Sequence, residues 1–191
     1  MLKVADGSNQ DIRISRNVFA VDLGGCGGSL IAPNVVLTAA HCGNYQGDSV
    51  IVGAYRAGST ANNAVEVTVA QSLMHPNYDD FTTANDFQLL RLSQAVTVGG
   101  SNVILSINNQ FSSPSNNQLL TVLGLGLTQE NGSEANILRD VEVQAIATST
   151  CNQGNAYGGD VENDTMFCAG YMSGGKDSCQ GDSGKLQSPL S

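Results

Sequence analysis

The chain has 191 residues, of which 41% are apolar and 13% charged, and it contains 22 glycines. That length suits one large domain or two small ones, and it can bury about 70% of the unfolded surface. The net charge is −9 and only 8 residues are Lys or Arg. Nucleic-acid binding is therefore disfavoured, because neutralising phosphates needs clustered cations.

The sequence shows neither the pattern of a membrane span nor that of a signal peptide. No stretch approaches the roughly 18 to 20 apolar residues of a membrane span, and no apolar signal-peptide segment follows Met1. We therefore expect no membrane association. We also expect that an export segment was removed or that the chain begins internally.

Short strand signals recur along the chain. Buried-type apolar runs occupy residues 34–38 and 49–52, and period-two alternation marks residues 64–69 and 141–145. Residues 119–127 form another apolar run, which is interrupted by two glycines. No segment shows a long helical period, so the pattern indicates an all-β barrel or sandwich.

A polar segment rich in Ser, Asn and Gln, residues 106–117, separates two such groups of strands. We interpret it as a crossing between two halves. The predicted domains are residues 1–108 and residues 109–191, each an antiparallel β-barrel packed beside the other.

The segment at residues 37–42, LTAAHC, places a histidine beside a cysteine where a strand ends. Small Ala39 and Ala40 allow close backbone packing, and a disulfide at Cys42 would hold His41 still. A general base needs an imidazole that is fixed in one orientation. Taken alone, a histidine in an apolar stretch is more often structural.

Asp86 opens the apolar run at residues 87–92, so its carboxylate is expected to lie partly inside. Burying a carboxylate costs several kcal/mol unless a partner compensates, and a histidine N–H is one such partner. The alternative is a solvated acid at a strand start. Asp79 and Asp80 are poorer candidates because they lie in a polar turn.

Residues 181–184, GDSG, form the most specific pattern. The flanking glycines let the backbone turn sharply and let a substrate approach Ser183. The N–H groups of Gly181 and Ser183 can then converge on one oxygen, as an oxyanion hole requires. A plain surface turn is the alternative.

The order His41, Asp86, Ser183 is one of the known chain orders of the acyl-transfer triad. Four segments carry a close resemblance to the trypsin-like (chymotrypsin-type) serine proteases: residues 26–42, 86–92, 168–170 and 176–184. The resemblance implies two packed antiparallel six-stranded β-barrels with the active site in the cleft between them.

The resemblance also implies roles for single residues. Ser183 would attack the peptide carbonyl, His41 would take and return the proton, and Asp86 would steady the imidazolium. Asp177 would form the floor of the primary specificity pocket, where a carboxylate selects a cation. We therefore expect a monomeric endopeptidase that cleaves protein or peptide substrates after Lys or Arg and that binds protein inhibitors.

No cofactor or metal is expected. Trypsin-like proteins often bind calcium in a loop of the first barrel, but residues 55–66 contain only Glu66 as an acid. A hard cation needs several carboxylate oxygens. A zinc site at Cys26, His41 and Cys42 is a weak alternative to a disulfide.

Five cysteines, an odd number, leave at least one without an intrachain partner. Widely spaced cysteines in a Gly-rich β sequence favour structural disulfides and an oxidising compartment. The resemblance implies the disulfides Cys26–Cys42 and Cys151–Cys168, an unpaired Cys179, and secretion.

Both ends of the chain depart from the family pattern. Family members are usually activated when cleavage frees an amine that pairs with the acid before the catalytic serine, here Asp182. The Lys3–Val4 bond is a loose match. If it is the activation bond, Val4 supplies the amine and the chain is nearly a zymogen; if it is not, the oxyanion hole stays unformed. After Gly184 the family continues with further strands, whereas residues 185–191 do not match, so we expect a C-terminally truncated member with an incomplete second barrel.

Two alternatives to an active endopeptidase stay open. One is a non-catalytic protease homologue that acts as a binding or inhibitor protein, and the other is an inactive fragment. Homologues of the first kind usually lose a triad residue, and all three are present here. The divergent C-terminal segment favours the alternatives.

Overall fold

The computed structural model describes residues 18–100, 104–110, 114–128, 132–162, 164–173 and 181–184, together with the backbone of residues 187–189. Ten β-strands dominate this part of the chain, and the helices within it have three or four residues. The prediction of an all-β fold is confirmed. No helix among the described residues has the length and apolar character needed to cross a membrane.

The first half forms a closed antiparallel barrel. Its strands are β1 (Ala20–Asp22), β2 (Gly27–Ala32), β3 (Val35–Thr38), β4 (Ser49–Val52), β5 (Val65–Met74) and β6 (Gln88–Leu92). They pair in the order β1-β2-β3-β6-β5-β4. Because closure pairs every strand on both sides, the barrel is a stable support for the loops at its rim.

Alternation along β6 shows why this sequence forms a barrel wall. Gln88, Leu90 and Leu92 point inward and are buried, whereas Leu89 and Arg91 face outward. Inward valines from the neighbouring strands fill the same core and are at most 1% exposed: Val36, Val50, Val52 and Val69. The period-two pattern of the sequence therefore separates the core face from the solvent face.

The second half forms an open sheet. Its strands are β7 (Leu119–Gly124), β8 (Arg139–Ile146), β9 (Cys168–Gly170) and β10 (Gln187–Pro189), in the order β10-β7-β8-β9, and helix α1 (Thr148–Cys151) follows β8. Leu120, Val122, Val141, Val143 and Ala145 form its own small core. The four described strands do not close, so the prediction of an incomplete second barrel is confirmed.

The two halves share a third apolar cluster. Its members are Ala20, Ala54 and Tyr55 from the first half and Leu125 and Leu138 from the second. The Leu138 N–H also donates to the Tyr55 carbonyl at 2.7 Å. The halves therefore pack directly on each other, while the boundary between residues 108 and 109 stays a prediction.

The inward register of β6 can be tested with two neighbouring leucines. Leu90 is 0% exposed and Leu89 is 40% exposed. We expect Leu90→Ala to lower the free energy of unfolding by about 2 to 5 kcal/mol, because it leaves a cavity in the core. Leu89→Ala should cost less than about 1 kcal/mol. Urea denaturation measures both values, and equal losses would contradict this register.

Candidate active site

His41 and Asp86 form a close pair at the rim of the first barrel. The Nδ1 atom of His41 lies 2.6 Å from Oδ2 of Asp86, and the His41 backbone N–H donates to Oδ1 at 2.8 Å. Their side chains are 41% and 26% exposed. The acid thus contacts one residue through both oxygens. The other ring nitrogen, Nε2, lies 3.9 Å from Sγ of Cys42, a weak acceptor.

A short turn directly after β3 carries His41. Residues Ala40–Cys42 form one turn of 3-10 helix, and Ala40 is 1% exposed. Gly43 follows with a φ of +94°, a conformation that favours glycine, and its N–H donates to the Ala40 carbonyl at 3.1 Å. Cys42 is bonded to Cys26 with 6.2 Å between their Cα atoms. These contacts fix the backbone on the C-terminal side of the histidine.

The conformation of the loop before β6 directs the Asp86 side chain toward the turn that carries His41. Asn85 has a φ of +56°, which asparagine tolerates better than most residues, and it turns the chain directly before the acid. Asp79 accepts two backbone N–H groups of its own loop, and Asp80 accepts the Tyr78 hydroxyl. Both neighbouring acids are therefore engaged inside the loop, and Asp86 is the one that contacts His41.

Ser183 lies beside the start of β2, and the next residue, Gly184, packs against the end of β3. The Gly27 N–H donates to the Ser183 carbonyl at 2.7 Å. A Cβ at Gly184 would overlap the Thr38 hydroxyl and the Gly27 carbonyl, so only glycine fits there. The described hydrogen bonds place Ser183 through its backbone and include none between the Ser183 and His41 side chains.

Asp182 contacts the second half of the molecule. Its Oδ1 atom accepts the Gly126 N–H at 2.9 Å, and a Cβ at Gly124 would overlap the same carboxylate. Gly181, with a φ of +86°, packs on the backbone of Gly126. The two glycines that interrupt the apolar run at residues 119–127 thus make room for Asp182 and bind it. Sequence reasoning noted the interruption but missed this role.

The cysteines form two disulfides. Cys26 bonds to Cys42 and Cys151 bonds to Cys168, as the resemblance implies. His41 lies close enough to the first pair that all three ligand atoms fall within 4.8 Å of one another. Because these two sulfurs are bonded to each other, neither is a free thiolate, and the three residues do not fit a zinc ion.

Three residues singled out in the sequence lie outside the described residues: Val4, Asp177 and Cys179. The pairing of the Val4 amine with Asp182, the pocket role of Asp177 and the free thiol of Cys179 therefore stay predictions. The oxyanion hole at Gly181 and Ser183 also stays a prediction, because it is defined by contacts with a bound substrate.

Two tyrosines of the first half have raised pKa values. Burial raises the pKa of Tyr45, and the nearby Asp48 and Asp22 carboxylates raise it further. Desolvation also raises the pKa of Tyr78, followed by the hydrogen bond to Asp80. Both phenols are therefore neutral at neutral pH.

The family model described as Trypsin matches residues 5–185. The chain belongs to the trypsin family of serine proteases. It is 39% identical over 168 residues to serine protease 56 of Homo sapiens, across 86% of this chain and 28% of that protein. It is 36% identical over 160 residues to trypsin-2 of Salmo salar, across 83% and 66%. It is also 35% identical over 182 residues to trypsin 5G1 of Aedes aegypti, across 91% and 67%.

The chain spans only part of these relatives. It covers 28% of the length of the human protein and 66% of the length of the salmon trypsin. Membership of the family follows from the matched residues. The activity and substrates of the chain are taken up below as a proposal.

The space at Gly124 for the Asp182 carboxylate can be tested directly. We expect Gly124→Ala to lower the free energy of unfolding by about 1 to 3 kcal/mol, because the added methyl group overlaps that carboxylate. Gly154→Ala is the matched control, because a Cβ there meets nothing within 4 Å. It should change the value by less than about 0.5 kcal/mol. Equal unfolding curves for both variants would contradict the contact.

Proposed function

We propose that this chain is a serine endopeptidase that hydrolyses peptide bonds through an acyl-enzyme. The contact of Asp86 with both the backbone N–H and Nδ1 of His41, in a chain of the trypsin family, is the observation that carries the proposal. A carboxylate at Nδ1 fixes the tautomer in which Nε2 can accept a proton, and it stabilises the imidazolium that forms.

Ser183 is the proposed nucleophile. It attacks the carbonyl carbon of the substrate while His41 removes the hydroxyl proton, and the same proton then goes to the leaving amine. Water attacks the acyl-enzyme in the second half of the reaction. The backbone contact of Ser183 with Gly27 supports this role, because it holds the serine next to Cys26, which the disulfide joins to the histidine turn. A hydroxyl–imidazole bond that tightens only when substrate binds is usual for free enzymes.

The N–H groups of Gly181 and Ser183 form the proposed oxyanion hole. Flanking glycines support it, since Gly181 has a φ of +86° and Gly184 a φ of +78°. Asp182 holds this turn to the second half through Gly126. An amine at Val4 would add a charged partner for Asp182, and we propose it as the activation contact.

The proposed substrates are proteins and peptides with Lys or Arg before the cleaved bond. The resemblance supports this choice, because it implies that Asp177 forms the floor of the specificity pocket, and so do relatives that are named trypsins. We further propose a secreted monomer that requires no cofactor and that protein inhibitors can bind. Two disulfides support an oxidising compartment.

Loss of Ser183 tests the nucleophile. We expect the purified chain, cleaved at the Lys3–Val4 bond to free the Val4 amine, to hydrolyse a small Arg ester, and Ser183→Ala to reduce its kcat/KM by about 10³-fold or more. Ser93→Ala, at an exposed serine of the first half, should leave kcat/KM unchanged. Labelling with a fluorophosphonate gives a second readout that needs no substrate pocket.

Two outcomes would overturn the proposal. Hydrolysis that survives Ser183→Ala would place the activity elsewhere. A folded chain that neither hydrolyses the ester nor accepts the label after cleavage at the Lys3–Val4 bond would be a binding homologue or an inactive fragment.

The proposed specificity rests on the Asp177 carboxylate. We expect Asp177→Ser to reduce kcat/KM for the Arg ester by at least about 100-fold, because the buried cation of the substrate loses its partner. The value for a Leu ester should fall less than about threefold. Parallel losses with both esters would mean that Asp177 supports the fold and does not select the substrate.

A further inference from the structure

Gln88 is a polar side chain inside the core of the first barrel. It begins β6, points inward with Leu90 and Leu92, and is 1% exposed. Burying an amide group costs free energy unless its polar atoms are hydrogen-bonded. An apolar residue at this position would avoid that cost. The role of Gln88 therefore has to be sought in the hydrogen bonds that its amide makes.

The amide nitrogen of Gln88 makes two hydrogen bonds. Nε2 donates to the Gly43 carbonyl at 2.9 Å and to the Ser72 hydroxyl oxygen at 2.5 Å. The other end, Oε1, is buried without a hydrogen-bond partner among the described residues. A carbonyl oxygen can only accept, so the bond to Gly43 fixes which end of the amide faces it.

The Gly43 carbonyl lies at the end of the turn that carries His41. The last carbonyl groups of a helical turn have no partner within the helix and must be bonded from outside. Gly43 closes the turn with its own N–H on the Ala40 carbonyl. Its carbonyl is bound by Gln88 from the neighbouring strand.

Asp86 and Gln88 therefore hold the histidine turn at two points. Asp86 binds the backbone N–H and Nδ1 of His41, and Gln88 binds the carbonyl of Gly43, two residues further on. Both side chains come from the same short stretch of chain at the start of β6. A displacement of the turn from β6 must break at least one of these contacts.

We propose that Gln88 is a positioning residue for His41. Its amide holds the turn against β6 and keeps the imidazole aligned with the Asp86 carboxylate. The consequence for catalysis rests on the proposed function, whereas the positioning itself can be measured without any activity.

The test compares two variants of the same amide contact. Gln88→Met keeps a similar volume but cannot donate to Gly43. Ser72→Ala is the matched control, because it removes the other partner of Nε2 and leaves the Gly43 bond in place. The chain contains two histidines, so His75→Gln assigns the imidazole NMR signals without ambiguity.

The first readout is exchange of the His41 Nδ1 proton with water, followed by NMR in the ¹⁵N-labelled chain. We expect this exchange to become at least about tenfold faster in Gln88→Met and to change less than about twofold in Ser72→Ala. If Gln88→Met behaves like Ser72→Ala, the proposal is wrong. Thermal unfolding of both variants separates a local effect from general destabilisation.

The second readout is ester hydrolysis. We expect kcat to fall about tenfold in Gln88→Met with KM unchanged, because misalignment of the base affects the transition state more than substrate binding. A wild-type chain that lacks activity after cleavage at the Lys3–Val4 bond would overturn the proposed function, and the NMR comparison would still decide the role of Gln88.

The wild-type chain supplies a check that does not depend on any variant folding. The side-chain amide protons of Gln88 should exchange with water at least about tenfold more slowly than those of Gln153, which is exposed. Equal rates at the two glutamines would show that the amide does not hold Gly43 and would overturn the proposal.

Discussion

The candidate site depends on the contact between Asp86 and His41. A carboxylate that is partly withdrawn from water is costly unless its oxygens are bonded, and here one oxygen accepts the His41 N–H and the other lies 2.6 Å from Nδ1. The bonds that compensate the acid are the bonds that orient the imidazole. The same contacts therefore stabilise the partly buried carboxylate and orient the imidazole. If either residue moves, the carboxylate loses hydrogen bonds that compensate for its burial.

The surrounding structure limits the freedom of that pair. The closed barrel fixes β6 between β3 and β5, and the Cys26–Cys42 disulfide ties the histidine turn to the start of β2. Gln88 contributes a polar contact from within the core. Its Oε1 atom has no hydrogen-bond partner among the described residues and is therefore a cost to the fold. The bond of Nε2 to Gly43 is a reason for the amide to be retained.

The sequence predicted the strands best where one face is buried throughout. Residues 49–52 coincide with β4, whereas the predicted strand at 64–69 continues as β5 to Met74. The register shifts between Val69 and Gln71, so the alternation is broken there although the pairing goes on. Gln88 shares the alternation of Leu90 and Leu92, so its inward direction follows from the strand pattern. Its partner Gly43, however, lies 45 residues away in sequence, and that contact is determined by tertiary structure. The room that Gly124 leaves for Asp182 is likewise a packing relation with no local signal.

The two halves contribute unequally to the position of the candidate nucleophile. His41 and Asp86 both belong to the first barrel, so their geometry is internal to one closed structure. Ser183 is bound by its carbonyl to Gly27 of that barrel, while the adjacent Asp182 is bound to Gly126 of the second half. A relative movement of the halves would pull these neighbouring contacts in different directions and leave the His41–Asp86 pair intact. The alignment of serine with base is therefore the feature of the site that is most sensitive to how the halves pack.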